Sequence, residues 1–209
     1  MPGTLGINAY CGQDCVLNFC RAELSTRTSF ADAESFVYHM EFDLLNPGPI
    51  IYTDFNAILT TDGIESILIA GTASFNGRGY KNGAGSLAVF DSLRGFLQLS
   101  KKEIIVVDWG NSCLRMIERP MNMVSDITKP CTAWNGQVGP FLWPNSVVKD
   151  KRNLQKLFVT ERRAIRRLTL NSWEVSTFFE SAQIEKFKHL VQDGQGGYLC
   201  DSRNSCVQR

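Results

Sequence analysis

Histidine is nearly absent: there are two in 209 residues, His39 and His189. Imidazole-rich metal centres of the kind a zinc lyase uses are therefore disfavoured. The chain has no Gly-x-Ser-x-Gly elbow and no phosphate-binding loop, so a serine nucleophile and a nucleotide site both lack their local signatures. No apolar run reaches membrane length, and Met1-Pro2-Gly3-Thr4-Leu5 does not open a signal peptide. Asn-x-Ser and Asn-x-Thr glycosylation acceptors are missing, leaving only Asn-x-Cys at Asn18, Asn111 and Asn204. Charge of either sign is not in excess, since 22 Lys and Arg oppose 21 Asp and Glu for a net +1. A globally basic nucleic-acid binder would show more. The expectation from these absences is a chain without a catalytic set, a metal or a cofactor.

What the chain does have is a repeat. Asp108-Trp109-Gly110-Asn111-Ser112-Cys113-Leu114-Arg115 returns 93 residues later as Asp201-Ser202-Arg203-Asn204-Ser205-Cys206-Val207-Gln208. Self-similarity at a fixed period decides architecture before other signals do. The offset is about two units of forty-odd residues, so a degenerate copy should lie between them. Phe158-Val159-Thr160-Glu161-Arg162-Arg163-Ala164-Ile165-Arg166-Arg167 fills that place, with Ala164-Ile165-Arg166 in the slot of Cys113-Leu114-Arg115. A second linked feature, Phe90-x-x-Leu93-Arg94, Phe141-x-x-Pro144-Asn145 and Phe187-x-x-Leu190-Val191, recurs 51 and then 46 residues apart. An earlier half-copy runs from Asn56 to Gly71, two apolar strands around the Asp62-Gly63 turn.

Strand, Asp-x-Gly-Asn, Arg-bearing strand, Asp-Gly turn and Ile-Ala-Gly followed by a glycine-rich stretch resembles the NHL repeat. Gly77-Arg78-Gly79-Tyr80-Lys81-Asn82-Gly83-Ala84-Gly85 is similar to that family's linker between blades. The resemblance runs from about Asp43 to Arg209, with Leu93 and Leu190 where the family usually has proline. It implies an all-β fold, an incomplete β-propeller of four-stranded blades over 46–209, with the first and last of about four blades partial. It also implies a module whose loops bind proteins or other polymers.

The residues support strands independently. Ile104-Ile105-Val106-Val107 is a β-branched run of the kind buried between neighbouring sheets, and Leu157-Phe158-Val159 and Tyr198-Leu199-Cys200 hold the corresponding places. Asp108 and Asn111 bracket a tight turn. Between Asn153 and Leu168 the apolar spacing also fits an amphipathic helix. The repeat register predicts two strands there instead.

Residues 1–45 differ in character. Cys11, Cys15 and Cys20 fall within ten residues, and Phe36 to Phe42 alternates as a strand. The turn Asn46-Pro47-Gly48-Pro49 is expected to separate this Cys-rich β segment from the first blade. The cysteine spacings do not match a zinc site. A disulfide between Cys113, on a third-strand position, and Cys131, at the exit of the next strand, is within reach, and Cys11, Cys15 and Cys20 are further candidates. An odd total of seven leaves one thiol over. Disulfides place the chain outside the cell or at its surface; all-free thiols would make it cytoplasmic. An unclosed arc leaves strand edges exposed, so the chain reads as part of a longer protein, or as one whose open edges a protein partner covers.

Three functions follow. The first is a non-enzymatic interaction or scaffold module, with Trp134 and Trp173 as candidates for a contact face; Trp109 and Trp143 are expected to pack between blades. The second is RNA binding through 149–167, where Lys149, Lys151, Arg152, Lys156, Arg162, Arg163, Arg166 and Arg167 oppose only Asp150 and Glu161. Charges on a solvated strand edge also protect against aggregation, and nucleic acid is the weaker expectation. The third is a propeller hydrolase or lyase, for which only a carboxylate calcium site at Asp54, Asp108 or Asp201 comes to hand.

Overall fold

The computed structural model describes residues 9–10, 21–22, 37–131, 140–182, 187–192, 197–201 and 206–207. Cys11, Cys15, Cys20 and Trp134 lie outside the described residues. Among those described, regular structure is strand apart from one 3-10 turn at Gly85–Leu87. Every strand pairing is antiparallel.

A short ladder joins β1 (Ala9–Tyr10) to β2 (Arg21–Ala22). The first large sheet contains β3 (Met40–Phe42), β4 (Ile50–Asp54), β5 (Asn56–Thr61) and β6 (Ser66–Thr72), in chain order. In the second, β8 (Leu93–Ser100), β9 (Glu103–Asp108), β10 (Cys113–Glu118) and β11 (Met123–Asp126) also follow the chain, and β7 (Gly83–Ala84) adds an outer fifth strand beside β11. The third is β12 (Ser146–Lys149), β13 (Lys156–Thr160), β14 (Ala164–Thr169) and β15 (Val175–Glu180). The fourth is β16 (Phe187–Gln192), β17 (Gly197–Asp201) and β18 (Cys206–Val207). Residues 153–168 thus form two strands rather than a helix, as the repeat register predicts.

One boundary is corrected. Met40 pairs with Tyr52 and Phe42 with Ile50, so the segment around Asn46-Pro47-Gly48-Pro49 joins two strands of one sheet instead of separating two units. Proline and glycine mark a chain reversal equally well inside a sheet and between domains. Only the pairing register distinguishes them.

The sheets stack face to face. Ile51, Ile58, Ile69 and Ala70 of the first meet Phe90, Leu93, Phe96, Ile104, Val106, Ile117 and Val124 in one buried cluster. Ile105, Val107, Leu114 and Met116 meet Phe141, Val147, Leu157, Val159 and Leu168 in the next. Successive residues of a strand point to opposite faces, and β9 shows the consequence: Ile104 and Val106 serve the first interface, Ile105 and Val107 the second. A strand with apolar neighbours on both faces has no polar alternation to keep. A smaller cluster of Phe158, Ile165 and Leu190 joins the third sheet to the fourth. The leading strands β8, β12 and β16 pack against one another in succession, and on the other side Gln98 of β8 donates to the Phe42 carbonyl and the Glu41 carboxylate of β3.

Candidate functional site

The repeated acid and arginine make a buried clamp. Arg115 on β10 pairs with Val106, and Asp108 lies two residues beyond that partner, on the same face of the sheet. Its guanidinium, fully buried, donates from Nη1 to Asp108 Oδ2 at 3.1 Å and to the Val89 carbonyl at 2.7 Å, and from Nη2 to the Lys81 carbonyl and Asn82 Oδ1. Phe90 lies beneath it, with the ring centroid 4.6 Å away. Asp108 accepts as well from the Asp91 backbone N–H at 2.9 Å and from Asn111 Nδ2 at 2.9 Å. The motif therefore ties the glycine-rich segment 79–91 to the second sheet. Burial pushes the Asp108 carboxyl up, to about 6, against the pull of Arg115, Asn111 and the Asp91 N–H. A Cβ at Gly110 would lie 2.3 Å from the Asp91 carboxyl carbon, which explains glycine at that place in the motif.

With both oxygens of Asp108 occupied by N–H donors, the clamp leaves little for a cation. No group of three His, Cys, Asp or Glu is placed to hold a metal ion among the described residues. The Asp201 side chain lies outside them.

The third sheet uses the same geometry with different residues. Arg166 on β14 pairs with Val159, and two residues beyond that partner lies Glu161. Arg166 Nε donates to Glu161 Oε1 at 2.6 Å, while Glu161 Oε2 accepts from the Leu142 N–H at 2.7 Å, as Asp108 accepts from Asp91. Phe90-Asp91-Ser92 and Phe141-Leu142-Trp143 are thus equivalent lead-ins to their sheets. Ser92 and Trp143 share a left-handed backbone, at φ 56° and 54°.

At that shared slot the two lead-ins diverge. Both sit at the end of the sheets where the β4–β5, β9–β10 and β13–β14 turns lie; Phe55 accepts from the Leu93 N–H, Asp91 from Gly110, and Leu142 from Arg162. Between the second and third sheets the indole of Trp143 fills the slot and stacks on Trp109, with centroids 6.3 Å apart and planes at 25°. Between the first and second sheets the slot holds Ser92, whose N–H donates to Asn56 Oδ1 at 2.6 Å. A cleft of about 340 Å³ remains there, walled by Tyr38, Phe55, Phe75 and Trp109, with Arg78 and Arg94 as the charged lining residues among those described. The Arg94 guanidinium lies against two rings, 4.5 Å from the Tyr38 centroid and 4.8 Å from that of Trp109. Arg78 covers Phe75 at 4.1 Å. Beyond Trp143, Arg162 continues the series at 5.0 Å. Tyr38, Arg94, Trp109, Trp143 and Arg162 consequently form one chain of rings and cations across three sheets.

The predicted residues divide accordingly. Cys113 and Cys131 form a disulfide, with Cα atoms 5.2 Å apart. Trp109 and Trp143 pack between adjacent sheets, though Trp143 keeps 40% of its surface exposed. Trp173 packs against the cluster between the second and third sheets. The basic stretch is not one patch: Lys151 and Arg152 lie in the β12–β13 turn, while Arg162 and Arg163 lie in the β13–β14 turn at the opposite end of β13, about 16 Å away at 3.3 Å per residue. Arg166 is occupied by Glu161 and by the Thr177 hydroxyl. Arg94, Arg78, Tyr38 and Ser92 were not expected. Arg94 is visible in the sequence only as the residue after Leu93 in the lead-in, a sign of register rather than of a site.

No protein-family model matches the chain, and no curated protein does. Solved structures do. Over 80% of its length the chain is similar to one from a nidogen/laminin complex, at 12% identity and a TM-score of 0.58, and it spans 57% of that chain. It is similar over 83% to the extracellular domain of a hybrid two-component system from B. thetaiotaomicron, at 10% identity and a TM-score of 0.57, spanning 23% of it. An auxiliary nutrient binding protein from Bacteroides thetaiotaomicron aligns over 79%, at 12% identity and a TM-score of 0.53, with 36% of that chain covered. At these identities the likeness is one of fold, an all-β series of antiparallel sheets.

Proposed function

We propose that the chain is a non-enzymatic interaction module, an arc of NHL-like propeller blades from an extracellular multidomain protein, which binds a protein partner through the end of its sheets. The observation that carries this reading is the series Tyr38, Arg94, Trp109, Trp143 and Arg162 on that end. Tryptophan, tyrosine and arginine are the residues that most often anchor protein interfaces, because each joins a large apolar area to a polar tip. The arc is supported by the repeated clamp, the equivalent lead-ins and the succession of β8, β12 and β16. The extracellular assignment is supported by the Cys113–Cys131 bridge and by extracellular and nutrient-binding fold neighbours.

The test is site-specific photo-crosslinking in extracellular fluid from the native source. A photoreactive residue replacing Trp143 should label one defined protein. The same group at Ile64, exposed on a β5–β6 turn, should not, and Arg162→Ala should reduce the yield. Equal labelling from both positions would sink the reading.

A further inference from the structure

Every side of the cleft beside Ser92 favours one kind of ligand. Its walls are the rings of Tyr38, Phe55, Phe75 and Trp109, and among the described residues its charged lining, Arg78 and Arg94, is cationic. The volume, about 340 Å³, lies at the small end of the range for small-molecule sites rather than in that of protein grooves. The Arg94 Cζ lies 4.5 Å from the Tyr38 centroid and 4.8 Å from that of Trp109, and its N–H groups form a fork in the guanidinium plane. Arg94 Nε is buried and meets no acceptor among the described residues. A buried donor left unsatisfied costs free energy that an incoming acceptor would recover.

We propose that this cleft is a binding site for a small organic acid, a carboxylate carried on a flat apolar body. The carboxylate lies in the plane of the Arg94 guanidinium, where a charge-assisted, two-pronged hydrogen bond satisfies the fork. The flat body stacks among Phe55, Phe75 and Trp109, and the Ser92 slot gives it room. The bond is charge-assisted at both ends, which makes it stronger than a neutral pair. Arg78, over the ring of Phe75, supplies a second cation to the lining. The cleft shares Tyr38, Arg94 and Trp109 with the series proposed to dock a protein, so a bound acid and a docked protein would compete for that end of the sheets.

The experiment titrates the full chain, labelled with ¹⁵N, with sodium hippurate, a benzoyl group on a glycine carboxylate, and with hippuramide, its neutral isostere. Hippurate should shift the Arg94 Nε–Hε and Trp109 indole signals saturably, and hippuramide should bind about tenfold more weakly, the loss expected for one charge-assisted pair. Arg94→Gln should abolish the shifts by removing the fork. Ser92→Trp should abolish them by filling the cleft, and Trp143 shows that this backbone accepts the indole. Equal binding of acid and amide would overturn the proposal, as would shifts that persist in both variants. Inorganic phosphate binding as tightly as hippurate would remove the role of the flat body and overturn it too. A response only to peptides ending in a free benzyl-bearing acid, with none to hippurate, would assign the cleft to a chain terminus instead.

Discussion

The second and third sheets begin in the same way and end in different surfaces. Phe90-Asp91-Ser92 and Phe141-Leu142-Trp143 share a buried phenylalanine, a backbone N–H given to the acid of the clamp and a left-handed third residue. At that third residue a hydroxymethyl group leaves a cleft and an indole closes one. The comparison teaches that the framework of a repeat and the function of a single interface are carried by different positions. Clamp and apolar residues keep the sheets alike, whereas one outward slot decides whether two sheets share a pocket.

The clamp offers the sharpest way to break the comparison. Arg115 is fully buried with Asp108, so Arg115→Met should leave an uncompensated buried carboxylate and cost about 3–5 kcal/mol in urea unfolding. The Arg166 side chain keeps 30% of its surface exposed, and solvent screens its pair with Glu161. Arg166→Met should therefore cost only about 1 kcal/mol. Equal losses would mean that the two clamps are not separated by burial.

The disulfide comes next. It belongs to the second sheet only, where it closes a stretch of 18 residues between β10 and the exit of β11. Loop-closure entropy assigns it about 3 kcal/mol. Cys131→Ser should lower the unfolding free energy by that amount, read as a lower urea midpoint at unchanged slope, and reductant should do the same to the native chain. A midpoint insensitive to both would refute the bridge.

Two carboxylates of opposite character should set the acid limb. Burial pushes Asp43 up, but Arg119, donating from Nη1 at 2.6 Å and Nη2 at 3.0 Å, and the Leu45 N–H outweigh it, so its carboxyl lies below the ordinary 3.8. A depressed value means stability that is present above 3.8 and is lost as the pH falls through the folded value. Asp43→Asn should flatten that loss. Asp108, raised to about 6, has the opposite sign, because the folded chain holds its proton after the unfolded chain has released it. Between about pH 4 and about pH 6 its contribution should fall as pH rises, and Asp108→Asn should remove that slope. Urea midpoints across this range, wild type against each variant, read both effects, and matching profiles for the two variants would contradict these assignments.

The smallest effect sharpens the contrast most. Ser92→Trp copies the third sheet into the second, and its change in stability should stay within about 1 kcal/mol, with the Trp109 emission shifting as the cleft closes. A large destabilisation would show that the two slots are not interchangeable.

Much of this could be read in the chain. The strands of 153–168, against a local helical spacing, followed from the register with Cys113-Leu114-Arg115, and the Cys113–Cys131 pairing followed from placing both near adjacent strands. Other parts could not. Glu161 takes the place of Asp108 in the third clamp because the turn from acid to arginine is two residues shorter there, five residues from 161 to 166 against seven from 108 to 115, and only strand pairing shows which acid reaches the arginine. The eight cations of 149–167 read as one cluster along the chain, yet a strand sends consecutive turns to opposite ends of a sheet.

By itself, then, the sequence determined which segments are strands, since the repeat register decided even 153–168, whose local spacing also fits a helix. It also determined the period at which they recur. Only the tertiary structure decided that the residues around Asn46 to Pro49 join two strands of one sheet, that Arg94 meets Tyr38 and Trp109, and that Ser92 leaves a cleft. Each of these depends on groups dozens of residues apart arriving at one place. The distances that bring them there are set by how one sheet packs on the next, not by any spacing along the chain.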